Sequence, residues 1–155
     1  MNLLRRKFLK TATFVGATVT IGTGALVPQR AIGAYTKAAF EAQDVGSALT
    51  ASMGSDQHSA SDKIKLKAPD IAENGAVVPI TVSASIGNVV AISIIASANA
   101  QPLTSTYMLS SACEPFVSTR IKMGKTANVI AVVKADGKLY SASKEVKVTI
   151  GGCGG

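Results

Sequence analysis

Between residues 63 and 150, apolar side chains recur at every second position in several segments, and this alternation limits the fold more than any other feature of the chain. In segment 63–67, isoleucine and leucine alternate with lysine. Successive side chains of a β-strand point to opposite faces, so this period places one face in a core and the other in water. No helix is expected between the strands after residue 63, which argues against a parallel α/β sheet.

Seven segments have this strand character, and turn residues separate them. They are 63–67, 78–84, 89–96, 106–109, 116–123, 128–134 and 139–150. Asp136-Gly137 predicts a two-residue hairpin before the last strand. Pro79 predicts a sheet edge or a bulge, and the uniformly apolar segment 89–96 predicts a central strand. We therefore expect an all-β domain over 63–150, an immunoglobulin-like antiparallel β-sandwich that lacks the Trp and core cysteine pair of antibody domains.

Residues 35–62, before the sandwich, are expected to form a short N-terminal helix and a loop. Apolar residues recur at intervals of three and four, at Ala38, Ala42, Val45 and Leu49. This spacing predicts a helix over 36–52, with Thr36 in the capping position. The small and polar residues 54–62 predict a loop, which contains His58, the chain's only histidine. A solvated or loop-stabilising role is expected for His58.

The first 34 residues have the features of a cleaved export signal. A basic start is followed by a mildly apolar run over about 11–27 and by small residues, so cleavage is expected after Gly33 or Ala34. Arg5 and Arg6, followed by Phe8-Leu9-Lys10, resemble a twin-arginine signal. The alternative is a membrane anchor, but an anchor needs about 20 strongly apolar residues, and this run is shorter and weaker.

The net charge of the chain is mainly a property of this signal. Five of the 16 basic residues lie in it, which leaves 11 basic against nine acidic residues in the mature chain. The sequence pI of about 9.6 therefore does not describe the mature protein. Because no basic run interleaved with aromatic residues remains, nucleic-acid binding is excluded.

The chain offers no catalytic or metal-binding constellation of its own. A blue-copper site needs two histidines, and there is one. CxxC, G-x-S-x-G and phosphate-loop motifs are absent, and the carboxylates of Asp70, Glu73 and Glu114 are isolated in sequence. An enzyme with a nucleophilic thiol would need a base beside it, which the sequence does not supply. We expect a protein that is not itself an enzyme.

The last five residues place one thiol on a glycine tail. Cys153 lies between Gly151 and Gly152 on one side and Gly154 and Gly155 on the other. Glycine adopts both signs of φ freely, so this tail is expected to be a slender, flexible arm with a reach of about 17 Å. An ordinary thiol is a few per cent thiolate at neutral pH, and nothing on the tail is positive. Activation of the thiol is therefore expected from a partner's active site.

The chain contains one further cysteine, Cys113. In an exported protein, two cysteines ordinarily indicate a disulfide. A glycine-bracketed cysteine is a poor structural staple, however, because its tail has almost nothing to pack. For Cys113 the alternatives are a strand-edge or buried thiol and a regulatory bridge to Cys153.

Four segments together resemble the SoxY sulfur-carrier family over nearly the whole chain. They are the terminal glycine-cysteine motif at 151–155, the run PFVSTRIKM at 115–123, the run APDIAENG at 68–75 and the twin-arginine start. The resemblance implies a periplasmic subunit of the thiosulfate-oxidising system that forms a heterodimer with SoxZ. Folded export by the twin-arginine route would carry the partner along, since SoxZ has no signal of its own.

The resemblance also implies a division of labour. The c-type cytochrome SoxAX would join thiosulfate oxidatively to the sulfur of Cys153, the hydrolase SoxB would release sulfate, and the sulfane dehydrogenase SoxCD or another acceptor would process the remaining sulfur. The chain would carry no cofactor beyond the covalent adduct. Cys113 matches no role in the family.

A second interpretation belongs to a different functional class. The domain could be an adhesion or assembly module whose terminal cysteine forms an intermolecular disulfide. It predicts a reducible dimer without sulfur adducts, whereas a carrier predicts sulfur adducts on Cys153.

Overall fold

The computed structural model describes residues 36–149, which form two short helices and nine strands. The helices are α1 (Lys37–Glu41) and α2 (Val45–Met53). The strands are β1 (Ser59–Ala60), β2 (Ile64–Lys67), β3 (Ile71–Ala72), β4 (Val78–Ala84), β5 (Val89–Ala96), β6 (Leu103–Met108), β7 (Phe116–Ile121), β8 (Ala127–Ala135) and β9 (Lys138–Val148). No helix within this range is long and apolar enough to cross a membrane. The predicted signal, with Arg5 and Arg6, lies outside the described residues.

The strands form two facing sheets, which confirms the predicted immunoglobulin-like β-sandwich. One sheet has the order β1-β9-β8-β5-β6, with β3 also paired to β9, and the other has the order β2-β4-β7. All the longer pairings are antiparallel, whereas β1 and β3 pair with β9 in parallel. Strands β6 and β7 are the last strands of their sheets, so the sandwich has an open edge between them.

The main core lies between the two sheets. Alternate residues of β4, β5 and β8 fill it, among them Ile80, Ile92, Ile94, Val129 and Val133, each at most 1% exposed. Full burial of a branched aliphatic side chain stabilises the fold by about 1.5–3 kcal/mol. The apolar residues that recur at every second position in the sequence are therefore the ones that face the core between the sheets.

A second core lies on the outer face of the larger sheet, under the two helices. Leu49 and Met53 of α2 pack there with Ile95 and Val132, which point away from the main core. Strand β5 is consequently buried on both faces and has a neighbour on each side. This arrangement confirms the prediction of a central strand from its unbroken apolar run.

The predicted helical segment before the sandwich is confirmed, but its continuity over 36–52 is not, because two helices occupy this segment. The backbone of Ala42 is extended, and Asp44 caps α2 by accepting a hydrogen bond from the Ser47 amide at 2.8 Å. A hydrogen bond with the Ser47 side chain, with a smaller contribution from the bond to its amide, lowers the pKa of Asp44. Thr36 precedes α1 but forms no side-chain cap. The Asp44 side chain bonds the Ser47 amide when the backbone of Asp44 is extended, so it favours a new helix start over a continuous helix. The spacing of apolar residues carries no information about this bond.

The predicted hairpin is confirmed, and the edge prediction for Pro79 is only half correct. Asp136 and Gly137 have φ of 50° and 72°, as a turn that matches strand twist requires. Pro79 lies in β4, the middle strand of the smaller sheet, but β2 ends at Lys67 opposite Thr81. On the β2 side, Pro79 has no partner strand, so the N–H that proline lacks is not needed for a hydrogen bond between strands.

Candidate functional site at the end of the last strand

The predicted arm follows β9, and the structure shows how the end of this strand is held. Val148 donates its amide to the Thr126 hydroxyl at 2.9 Å, and Thr149 donates to the carbonyl of Ala72 at 3.2 Å. One bond lies toward β8 and the other toward β3. The backbone is therefore bonded on both sides up to Thr149, the last described residue.

Strand β3 and the residues before it form one side of this attachment. Ile71 and Ala72 pair in parallel with Lys147 and Val148. Nearby, the Lys144 ammonium donates to the Ala68 carbonyl at 2.6 Å and lies 3.0 Å from the Asp70 carboxylate. Because the Asp70 side chain is 89% exposed, this ion pair contributes little by itself. Its geometric effect is to hold segment 68–72 along β9.

Gly75 joins this segment to the opposite sheet. Its carbonyl accepts a hydrogen bond from the Met123 amide at 2.7 Å. A Cβ at Gly75 would collide with the Met123 carbonyl oxygen and would lie 2.9 Å from Cγ1 of Val148. The absence of a side chain therefore lets three segments meet beside the end of β9.

Cys153 and its glycines Gly151, Gly152, Gly154 and Gly155 lie outside the described residues, so the arm remains a sequence-based prediction. Cys153 lies four positions after Thr149, which limits the distance between their Cα atoms to about 14 Å. A reaction at the thiol must therefore take place within about that distance of the Thr149 Cα. Among residues 36–149, no group of His, Cys, Asp or Glu side chains could hold a metal ion.

Cys113 is exposed and reduced, in the segment between β6 and β7. Its amide donates to the Ser110 carbonyl at 3.0 Å, and its sulfur lies 3.3 Å from the Ser110 hydroxyl. The hydroxyl stabilises the thiolate, with a smaller contribution from the Ser110 backbone, and so lowers the pKa of Cys113. The predicted alternative of a buried thiol is wrong, because Cys113 is exposed, and the strand-edge alternative does not hold either, because Cys113 lies in a bend three residues before β7 begins.

An intramolecular bridge between Cys113 and Cys153 does not fit this fold. Cys113 lies between Met108, which is in the same row across the sheet as Leu139 near the start of β9, and Pro115, whose carbonyl accepts the amide of Ala84 at the end of β4. Both ends of its segment are therefore held at the end of the sandwich where β9 begins. From Leu139 to Thr149 the strand direction spans about 33 Å at ~3.3 Å per residue. The reach of about 14 Å from Thr149, plus the ~7 Å that a disulfide allows between Cα atoms, falls short of that length.

His58 lies far from the end of β9. Its Nδ1 shares a hydrogen bond of 2.9 Å with the Ser141 hydroxyl, next to the pairing of β1 with β9. This contact confirms the predicted loop-stabilising role. Ser141 precedes Thr149 by eight residues, about 26 Å along an extended strand. His58 therefore lies beyond the reach of the Cys153 thiol and is unsuited to act as its base.

The sequence predicts the thiol at Cys153 but not the backbone contacts that hold the start of the arm. Strand β3 has two residues, which is too short for an alternating pattern. The dipeptide Asn74-Gly75 is a turn signal that marks the close approach, and the Asn74 side chain does accept the Ala76 amide at 2.9 Å. The turn signal does not indicate which segment Gly75 contacts, because Met123 is 48 positions away in the chain.

Comparisons with known proteins agree with this architecture. The family model for the sulfur oxidation protein SoxY matches residues 49–153. The solved structure of the sulfur carrier protein SoxY from Chlorobium limicola f thiosulfatophilum is similar, with 48% sequence identity and a TM-score of 0.61. The match covers 66% of this chain and 94% of that one.

A more distant similarity concerns the fold alone. Superoxide reductase (neelaredoxin) from Ignicoccus hospitalis matches with a TM-score of 0.51 and 19% identity, over 56% of this chain and 80% of that one. No curated protein matches the sequence. The SoxY family model, in contrast, extends from helix α2 through the sandwich to Cys153. The chain belongs to the SoxY family of sulfur oxidation proteins.

Proposed function

We propose that this protein is a periplasmic sulfur carrier that binds thiosulfate-derived groups covalently through Cys153 and presents them to separate enzymes. The observation that carries the proposal is the SoxY family match, which extends through Cys153. The bonded end of β9 supports it, because an arm that starts at a fixed point keeps its cargo near one end of the domain. The glycines on both sides of Cys153 give the arm a cross-section that fits a narrow cleft.

Loading is an oxidation at sulfur. The Cys153 thiolate and the outer sulfur of thiosulfate form an S–S bond, and the two electrons released pass to a c-type cytochrome such as SoxAX. The product is a cysteine S-thiosulfonate. His58 lies too far away to serve as a base, so the enzyme that receives the arm supplies the positive charge or base that produces the thiolate.

Unloading begins with hydrolysis. Water attacks the terminal sulfone sulfur, the S–S bond to that sulfur breaks, and sulfate leaves with release of protons. A persulfide remains on Cys153. The hydrolase SoxB fits the first step, and the sulfane dehydrogenase SoxCD or another acceptor fits removal of the remaining sulfur. The carrier contributes attachment and positioning.

Location and assembly form part of the same proposal. Arg5 and Arg6 would direct export of the folded chain, with cleavage after Gly33 or Ala34. Export of a folded protein allows a bound SoxZ subunit to travel along. Intact mass of protein from the periplasmic fraction measures the cleavage site directly, and an N-terminus still carrying Arg5 would contradict this part of the proposal.

A substitution of the thiol tests the central claim. Cys153→Ser should abolish thiosulfate-dependent cytochrome reduction in a reconstituted system, because the attachment atom is lost, while the unfolding curve stays unchanged. Cys113→Ser is the matched control and should retain full activity. Mass spectrometry of the wild-type terminal peptide should show thiosulfonate and persulfide adducts. Activity retained in Cys153→Ser, or a resting disulfide dimer without adducts, would show that the protein is not this carrier.

A further inference from the structure

Residues 71–77 form a collar beside the point from which the arm extends. The collar begins in β3, which pairs with the end of β9 in the larger sheet, and it runs to the residue before β4 in the smaller sheet. Ile71 pairs with Lys147, and the Cα of Gly75 lies against the Val148 side chain. The collar therefore passes the end of β9 on its way from one sheet to the other.

Two large aliphatic side chains of the collar are exposed. Ile71 is 57% exposed and Val77 is 50% exposed, whereas their neighbours Ala72 and Val78 are buried in the main core. Packing within the domain thus leaves Ile71 and Val77 available for contact beside the arm. The other large apolar side chains exposed among residues 36–149 lie toward the opposite end of the sandwich, at Val90, Met108 and Phe116.

The backbone of the collar is held in place although these side chains are exposed. The Asn74 side chain accepts the Ala76 amide at 2.9 Å, and the Asn74 carbonyl accepts the Val77 amide at 3.3 Å. The Gly75 carbonyl accepts the Met123 amide at 2.7 Å. A surface that is already ordered loses little conformational entropy when a partner binds to it.

The length of the arm limits how far a visiting enzyme can lie from the collar. The Cα of Cys153 lies at most about 14 Å from that of Thr149, so an active site about 10 Å below the rim of a cleft brings that rim to about 4 Å from Thr149. Ile71 pairs with Lys147, two residues before Thr149, which places the Cα atoms of Ile71 and Thr149 about 8 Å apart. The rim of such a cleft must therefore meet the collar.

We propose that the collar is the surface on which arm-receiving enzymes dock, with Ile71 and Val77 as its apolar contacts. This inference rests on the proposed carrier function. The partner is an enzyme whose active-site cleft admits the arm and whose rim places apolar side chains against the collar. Burial of two half-exposed aliphatic side chains favours the complex. The contact is small, which suits a complex that must separate after each reaction.

Thiosulfate-dependent cytochrome reduction, with the concentration of the carrier heterodimer varied, tests the docking surface. Ile71→Ser combined with Val77→Ser should raise the KM for the carrier about tenfold and leave kcat unchanged, because the substitutions remove apolar contact but not the attachment atom. The matched control combines Val90→Ser with Met108→Ser, which changes two exposed apolar residues at the opposite end of the sandwich. It should keep the wild-type KM.

Two further measurements separate docking from other roles of the collar. Alkylation of Cys153 by iodoacetamide, in protein carrying Cys113→Ser, needs no docking and should have the same rate with and without the two serine substitutions. The conservative pair Ile71→Val and Val77→Ile retains the apolar surface and should retain the wild-type KM. A conservative pair that behaves like the serine pair would contradict an apolar contact.

Four other results would overturn the proposal. They are an unchanged KM in the serine-substituted collar, an equal rise in the control, slower alkylation of Cys153, and loss of the partner subunit from the heterodimer. Slower alkylation would show that the collar acts on the arm itself, and loss of the subunit would show that this subunit covers the collar. If the wild-type protein supports no cytochrome reduction, the carrier function fails and the docking surface fails with it. Wild-type activity together with an unchanged KM removes the docking surface alone.

Discussion

At Gly75, the absence of a side chain determines how closely three segments approach. The carbonyl oxygen of Met123 and a methyl group of Val148 occupy the space where a Cβ would lie. Gly75 also binds the Met123 amide, so the turn cannot move away without losing that bond. The requirement at this position is for space rather than for an unusual φ.

Gly75→Ala should therefore lower the free energy of unfolding by about 1–3 kcal/mol, the usual cost of overpacking. Urea denaturation of the mature protein measures it. Gly87→Ala is the matched control, because a Cβ at Gly87 would meet no atom within 4 Å apart from those of its chain neighbours. If both substitutions have the same effect, the close contact at Gly75 has no energetic consequence.

Ser110 should control the reactivity of Cys113. Its hydroxyl lowers the pKa of the Cys113 thiol, so more of that thiol is thiolate at neutral pH. In protein carrying Cys153→Ser, the additional change Ser110→Ala should raise the pKa and slow alkylation by iodoacetamide at pH 7. The rate as a function of pH measures the shift. Equal rates in urea-unfolded samples would serve as the control, and equal rates in the folded samples would contradict the assignment.

At the scale of elements, local chemistry determined where α2 begins. The predicted apolar spacing was right for Ala42, Val45 and Leu49, which pack in the second core. It was wrong for Ala38, which is exposed, because the neighbouring Ala39 is the buried residue of α1. The Asp44 cap starts a new helix within the segment 36–52. The sequence does contain the signal for this start, because Asp44 stands directly before Val45, the first residue of α2. The longer strands were predictable because one or both of their faces are buried, which leaves a pattern. Strands β1 and β3 were not, because a two-residue strand has no period.

The Asp44 cap should make the stability of the helix depend on pH. Ser47 holds the pKa of Asp44 below its ordinary value, so the stabilisation is complete above that ordinary value and is lost as pH falls through the folded pKa. Asp44→Ala should destabilise the protein at pH 7, and the difference from wild type should shrink below about pH 4. Denaturation at several pH values measures it, with Asp62→Ala as the control. A difference that is constant with pH would exclude the charged cap.

At the scale of the whole molecule, sheet order was beyond the reach of the sequence. Strand alternation shows which face of a strand is buried but not which strand lies beside it. The pairing of β4 with β7, and of β3 with β9, depends on contacts between residues tens of positions apart. The candidate site has the same division. Cys153 is predicted as the attachment point from its glycines alone, whereas the backbone bonds that hold Thr149 depend on this long-range pairing.

The positions of the two cysteines lead to a further expectation. Cys113 lies at the end of the sandwich where β9 begins, and the arm starts at Thr149, where β9 ends. Mild oxidation of the mature protein should therefore give disulfides between molecules and none within one molecule. Non-reducing electrophoresis with peptide mapping measures this, at protein concentrations low and high. A monomer containing a Cys113–Cys153 peptide would show that the distance along β9 does not separate them.

The pairing of β9 also determines how the domain responds to mechanical force. Nine residue pairs join β9 to β8, and the parallel partners β1 and β3 flank its other side near each end. Ladder hydrogen bonds lie across the strand direction. A pull on the arm along the axis of β9 therefore loads the whole ladder in shear, and the bonds must break together rather than one after another. An enzyme that draws the arm into its cleft would move the domain as a body before it extracted the strand.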